Sequence, residues 1–520
     1  MTIKFYLSYT AAYDDEILLH IVINDDTKRK ISPLAMTTFD GQTWTCHVNN
    51  VNPKSYPHID YFFTVSNARQ EKKREWNVIK HRIDIDKTHA STIHVYNIWH
   101  DKPLQPQLYS AAYTECPARQ RHSACQHHPY ERIMRIVARA PQIEDDESLA
   151  LALNNNTDIW DTANVVNMTL HNTCEWTADI NADDIDDYTF CRFAINHADG
   201  SRTWENMPHR KILPIDNKPG ELIVYEVGEA DFGRRPRPLS TILTTMKKLR
   251  SETSCGIGDF GDLANLIQQT ALSATADVIT ISPINDTTST HTAADATPYS
   301  AISAFALHPI HADLRNLPQS EDPKQREHAE QVRISLNTDP EPDYQATFNA
   351  KIQRLHQAFD IDGDQVMHSS VYRRFLATNE HWLVPYAQYS YLRDAYNISD
   401  FRQWPNHNEW IEAERGQLAS PRTKAYKKLA FYYYVQFVLH QQLCAAHQLA
   451  RQLGIVLKGD LTANINPNGC DVWQMGNLTD SDEWWERRLS TMEHYFDACL
   501  LTESTRRRRR IVESTRMLIE

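Results

Sequence analysis

Residues 250–267, RSETSCGIGDFGDLANLI, and residues 276–309, ADVITISPINDTTSTHTAADATPYSAISAFALHP, decide how this chain is read. A glycine turn (Gly256, Gly258, Gly261) opens an apolar helical pattern at Leu263, Leu266 and Ile267. The run Val278–Ile281 that follows is short, β-branched and apolar on both faces, and Pro283 closes it. Such a run after a helix suits a buried parallel strand. The stretch Asn285 to His308 is too long and polar for a connector. Polar loops at the carboxyl ends of parallel strands are where α/β barrels hold their ligands. The glycine turn lacks the Gly-Lys-Ser/Thr of a phosphate loop, so it receives no phosphate role.

Composition sets the outer bounds. The 520 residues are enough for two to four domains. A formal net charge of −13 works against a nucleic-acid backbone or an anionic membrane as partner. No segment has the length and apolarity of a signal peptide or a membrane span. The nine scattered cysteines fit reduced thiols in a cytoplasmic protein. Cys116, Cys125, His122, His127 and His128 match no zinc spacing and are read as a polar linker. Asp360, Asp362 and Asp364 in DIDGD do not fit a calcium loop and are read as a solvated turn. No metal and no cofactor is expected.

Residues 1–100 alternate as short strands (IKFYLSY, LLHIVIN, TWTCHV, YFFTVS, HRIDI, STIHVYN), the pattern of a β-sandwich. Residues 101–130 read as a linker. From 131 to 228 the strand pattern returns, and the two blocks look like copies of one module. TWTCHV (43–48) matches CEWTADI (174–180), and YFFTVSNARQEKKREW (61–76) matches TFCRFAINHADGSRTW (189–204). Trp44 and Trp176, inside strands, are read as core. The Pro/Arg-rich FGRRPRPLS ends the β region, and the third domain spans 239–520. Within it, about 320–445 is helical, and the aromatic face Phe431, Tyr432, Tyr434 and Phe437 of a long helix ending at Gly454 is read as packing.

The paired modules resemble the starch-binding domain of carbohydrate-binding module family 20, the first in a weakened form. The resemblance implies that Trp160 in DIWD and Trp204 in TWENMPHR stack on consecutive glucose rings, with Glu205 and Asn206 holding hydroxyls. In the first copy it leaves only Trp76 in REWN. The later motifs GIGDFGD, VITISPINDTT, TPYSAISAFALHP, WLVPYAQYSYLRDAYNISDF, FYYYVQFVLHQQL and GIVLKGDL run in the order of the 4-α-glucanotransferases of glycoside hydrolase family 77. This family is also called amylomaltase or disproportionating enzyme. Tandem starch-binding domains before the barrel resemble the plant cytosolic subgroup.

The expectation is therefore two all-β starch-binding sandwiches followed by an incomplete α/β (TIM-type) barrel with a helical insertion. The implied partner is an α-1,4-glucan: starch, glycogen or malto-oligosaccharide. The implied chemistry is retaining transglycosylation by a nucleophilic carboxylate and an acid/base carboxyl about 5–5.5 Å apart. Tyr299 in TPYSAISAF matches the tyrosine lining the donor subsite, and Asp460 in KGDL matches the aspartate that ligates the sugar.

The match breaks after WWERRLSTMEHYFDA (484–498), where the family continues with Arg-x-Asp-His. Here Leu500 stands for the arginine, Thr502 for the nucleophilic aspartate and Glu503 for the histidine. Glu503 is one position out, which on a strand reverses its direction. After GDL the family reads Pro-Ile-Gly and this chain TANINPNG, and the long loop expected after DVWQ is short. No matched catalytic residue is assigned, and the strands of the acid/base glutamate and the stabilising aspartate are expected to be missing before Glu520. The run RRRRR (506–510) is read as the product of a reading-frame change after Ala498. The alternatives to an enzyme are a non-catalytic starch- or glycogen-binding protein and a truncated gene product.

Overall fold

The computed structural model describes residues 1–520 except 23–31, 54–57, 68–69, 77–79, 86–89, 104–105, 110–129, 142, 144–146, 156–159, 161–163, 172–173, 235–237, 412–414, 421–422, 424, 461–463, 476–497 and 501–520. The chain forms two compact units, Met1–Arg237 and Pro238–Glu520. The Cys/His stretch 116–128, the positions Thr502 and Glu503, and the arginine run lie outside the described residues.

The first unit is sheet-rich. Its first copy contains β1 (Thr2–Ser8), β2 (Glu16–Val22), β3 (Thr43–Val48), β4 (His58–Asn67), β5 (Gln70–Arg74), β6 (His81–Asp84) and β7 (Thr92–Ile98). The second contains β8 (Ile133–Arg139), β9 (Ser148–Asn154), β10 (Glu175–Asn181), β11 (Phe190–Asn196), β12 (Arg202–Trp204), β13 (Arg210–Lys211) and β14 (Glu221–Glu229). Trp44 and Trp176 are core, as read, and do the same job in each copy. Trp44 Nε1 donates to Tyr9 O and Trp176 Nε1 to Ala140 O.

The copies are not independent sandwiches. β7 and β14 pair in parallel, Ile93 beside Leu222, so that β10, β8, β14, β7, β1 and β3 are neighbours in one sheet. Leu222 and Val224 of β14 join Ile3, Phe5, Ile93 and Val95 in one core, while Ile223 and Val227 join Met134 and Ile136 in the other. The central sheet thus carries a separate core on each face. Leu222, Ile223 and Val224 are apolar in succession because β14 is buried on both sides.

The second unit is built on a parallel sheet in the order β15 (Thr241–Thr244), β16 (Val278–Ile281), β17 (Val456–Asp460) and β18 (Ala498–Leu500). The strands at VITISPI, GIVLKGDL and YFDACLL are those the sequence predicts. The fourth is not hidden in the middle of the unit but precedes the glycine turn, in STILTT, where alternating polar threonines mask it.

Around this sheet stand α1 (Phe260–Ser273), α2 (Pro323–Thr338), α3 (Tyr344–His368), α4 (Ser370–Tyr396) and α5 (Tyr426–Gln452). The glycine turn is a helix start. Asp259 accepts from the Gly261 and Asp262 amides at 3.0 Å, and Asp262 accepts from the Asp259 amide, a reciprocal cap. DIDGD is not a turn: it lies inside α3, where Asp362 accepts from Tyr434 OH at 2.8 Å. Helical packing overrode the turn propensity of its aspartates and glycine. Phe431, Tyr434 and Phe437 are buried, as read. Among the described residues no helix is long and apolar enough to cross a membrane.

Candidate functional site

In the second unit the loops leaving β16 and β17 meet at the carboxyl end of the sheet. Ser300 and Ala301 pair in parallel with Asn464 and Ile465, and Asn466 N donates to Ala301 O at 3.1 Å. Ala304 N donates to Asp471 Oδ2 at 2.7 Å. A Cβ on Gly469 would come within 2.8 Å of Ile302 Cα and O, so only glycine permits this approach. The clasp sets Tyr299 beside the last residue of β17, and Tyr299 OH donates to Asp460 Oδ2 at 2.9 Å. Tyr299 is 37% exposed and Asp460 only 7%, so the pair offers one accessible polar edge over a sunken carboxylate. Burial and the Asp460 charge raise the Tyr299 phenol above its ordinary pKa, keeping it a donor at neutral pH.

Behind this pair lies a polar network that sequence reasoning missed. Asp286 is fully buried at the end of the segment SPIND. It accepts from Thr288 N and Oγ1 at 2.9 and 2.6 Å and from Tyr386 OH at 2.6 Å. Burial pushes its carboxyl up, with Arg393 and these donors opposing. Arg393 reaches Thr288 O and holds Asp394 at 2.7 Å; Asp394 also receives Tyr432 OH at 2.6 Å and faces His291 at 2.8 Å. Burial alone would raise the Asp394 carboxyl, but Arg393 and His291 more than offset it and hold it well below the usual range. Gln436 of α5 clamps Leu307, accepting from its N–H at 2.9 Å and donating to its C=O at 2.8 Å. The available signal was polar residues (Gln388, Arg393, Gln436) inside otherwise apolar helix faces. A cleft of about 920 Å³ lined by Thr253, Arg315, Arg333 and Arg354 does not include Tyr299 or Asp460.

In the first unit Trp160 and Trp204 do come together, ring centroids 6.1 Å apart and tilted by 53°. Trp160 is buried, and Trp204 is half-buried with the Arg192 and Arg202 guanidinium groups 5.5 and 5.8 Å from its ring. Asn206 is exposed, but Glu205 is not: its Oε1 accepts from Phe193 N at 2.8 Å and pairs with Arg210 at 2.7 Å. In the first copy Glu75 accepts from Phe63 N at 3.0 Å in the same way. In both copies the glutamate amide returns a bond to that phenylalanine carbonyl. Glu75 and Glu205 are therefore equivalent, and the match of Trp76 to Trp204 is corrected by two positions. Trp76 falls where Asn206 is, and packs on Leu108, Tyr109 and Cys174. Arg74 takes the place of Trp204 and stacks over Phe62, which takes the place of Arg192. Cation and ring have exchanged strands between the copies.

A parallel sheet whose carboxyl-end loops are clamped by helices and present a phenol–carboxylate pair is the layout of an α/β enzyme that takes its ligand at that end. Residues 244–483 match the profile of glycoside hydrolase family 77, the 4-alpha-glucanotransferases. It is 30% identical over 282 residues to 4-alpha-glucanotransferase DPE2 of Oryza sativa subsp. japonica, covering 48% of this chain and 30% of that protein. To the 4-alpha-glucanotransferase of Chlamydia pneumoniae it is 27% identical over 237 residues, 45% of this chain and 43% of that one. The chain thus spans less than half the length of these two relatives. Amylomaltase from Streptococcus agalactiae in complex with acarbose superposes with a TM-score of 0.42 at 17% identity, over 51% of this chain and 59% of that one.

Proposed function

We propose that this protein takes α-1,4-glucans in the TIM-type framework of a 4-α-glucanotransferase, whose reaction is retaining transglycosylation, with Thr502 in place of the matched nucleophile in this chain. The observation that carries the reading is the Tyr299–Asp460 pair at the carboxyl end of the parallel sheet, inside the segment that matches the family. Asp460, with a phenol already bonded to it, is suited to accept from a sugar hydroxyl. Tyr299 offers a ring face and a polar edge to the same glucose unit. In the first unit Trp160, Trp204 and Asn206 are assigned to polymer capture by a starch-binding module, and the compartment assigned is the cytoplasm.

Incubation of the purified chain with maltotriose tests this: glucose and longer oligomers that appear with the wild-type chain and not with Asp460→Ala would establish transfer, and their absence from the wild-type chain would overturn it. A second reading, glucan binding without transfer, is favoured by Thr502 at the position the resemblance gives to the nucleophile. It predicts that maltotriose binds but is not redistributed. Failure of maltotriose to bind at all would remove both.

A further inference from the structure

The first unit contains a buried group of side chains to which neither starch binding nor glucan transfer gives a part. It lies where the two copies share their sheet. Glu75, His81 and His100 come from the first copy and Glu226, on β14, from the second. All four are buried, His100 being 6% exposed. One ligand atom from each of Glu75, His81 and His100 lies within 4.8 Å of the other two. His81 Nε2 is 2.9 Å and His100 Nδ1 3.7 Å from the same oxygen, Glu75 Oε1. The opposite nitrogen of each ring goes to Glu226: His81 Nδ1 at 3.2 Å and His100 Nε2 in a short contact.

We propose that Glu75, His81 and His100 bind a zinc-class divalent cation, with Glu226 as the outer carboxylate that orients both imidazoles. Three observations converge. First, ligating histidines characteristically give their other ring N–H to a carboxylate, and here both rings do so to one residue. Secondly, His100 Nδ1 is buried and makes no hydrogen bond. With Nε2 donating to Glu226, a neutral ring aims its Nδ1 lone pair at a carboxylate oxygen. Protonating both rings instead would stack two buried cations, with centroids 3.8 Å apart. Protonating His81 alone serves its contact to Glu75 but leaves His100 Nδ1 without a donor, whereas a divalent ion would bind both inward nitrogens. Donors about 2.1 Å from zinc in a tetrahedral site stand roughly 3.4 Å apart. The separations of 2.9 and 3.7 Å straddle that value, and the edge between the two imidazoles is within 4.8 Å.

The third observation is the internal repeat. In the second copy Arg210 stands where His81 does, on the strand paired with the equivalent of β4, and its fixed charge sits on Glu205 at 2.7 Å. Asp231 O accepts from Asn206 N as His100 O does from Trp76 N, so Asp231 replaces His100. The second copy thus places a fixed cation, Arg210, beside this glutamate. The second carries it covalently, while the first has two imidazoles and a second carboxylate in its place. Imidazole with carboxylate suits zinc, and three protein ligands leave a fourth position for a water molecule.

The test uses the full chain, stripped with a chelator, incubated with Zn²⁺ and desalted. Elemental analysis is expected to find about one zinc per chain, and Co²⁺ is expected to give visible ligand-field bands. His81→Asn and His100→Asn should each lose the metal. A variant of Cys116, Cys125, His122, His127 and His128 should keep it. Where either asparagine variant fails to fold, Glu226→Gln is read instead, with zinc affinity expected to fall about 10–100-fold. No zinc retained by the stripped wild-type chain, or equal retention by folded variants of the three ligands, would overturn the proposal.

Discussion

Tyr299 and Asp460 are 161 residues apart in the chain and share a 2.9 Å hydrogen bond. One two-residue strand pairing and one glycine contact bring them together. Tyr299→Phe removes the donor while keeping the ring. Because the residue is more than a third exposed, thermal or urea unfolding should shift by less than ~1 kcal/mol. Maltotriose affinity, measured by calorimetry, should drop about fivefold, the equivalent of one hydrogen bond.

Gln436 is predicted to be a strut of the same loop. Gln436→Ala would strand a buried N–H and a buried C=O of Leu307, at about 3 kcal/mol in urea unfolding. Gln442 makes the matching pair of bonds to Asp313 at 2.8 Å each but lies in a less buried setting, so Gln442→Ala should cost less.

Acid should weaken the second unit through its buried histidines. Burial, with Lys351 and Arg393 nearby, pushes His308 down to about 3, and burial, with His308 and Lys351 nearby, pushes His311 well below its ordinary value. His308 Nδ1 accepts from Ile310 N at 3.2 Å and lies 3.9 Å from Asp286, while Nε2 meets Tyr344 OH. The unfolded imidazole takes a proton near pH 6.5 that the folded one refuses. The histidine contribution to stability is therefore full above 6.5 and falls as pH drops toward 3, by up to about 1.4 kcal/mol per pH unit for each histidine, with Asp259, raised to about 6, opposing it. Urea midpoints across that window check it, and His308→Gln should flatten the slope.

Trp204 and Trp76 should behave oppositely. Trp204→Ala is expected to weaken amylose retention at least ~10-fold with little loss of stability, since the ring is half-exposed. Trp76→Ala should leave retention unchanged and cost roughly 2 kcal/mol, less than a fully buried ring, through its packing on Tyr109 and Leu108.

Legibility followed the local signals. VITISPI and GIVLKGDL are strands because β-branched runs between turn residues leave few other options, and Asp259 with Asp262 could be read as a helix start. The duplication was visible too, but its register was not. A sequence match rewards tryptophan on tryptophan, whereas the fold aligns Glu75 with Glu205 through bonds to Phe63 and Phe193. The continuous sheet was illegible because pairing of β7 with β14 is a long-range contact with no local trace beyond an unusually apolar LIVYEV. Asp286, Arg393 and Gln436 were missed because a buried polar residue is indistinguishable, in one sequence, from one facing solvent.

The parallel seam between β7 and β14 has a consequence for the history of the chain. Once a duplicated module lends its last strand to its sibling's interior, neither half can be deleted, traded or expressed alone without baring an unprotected apolar edge. Divergence must then proceed by dividing labour between fused halves, so one can drift toward a structural anchor while the other keeps the paired Trp160 and Trp204.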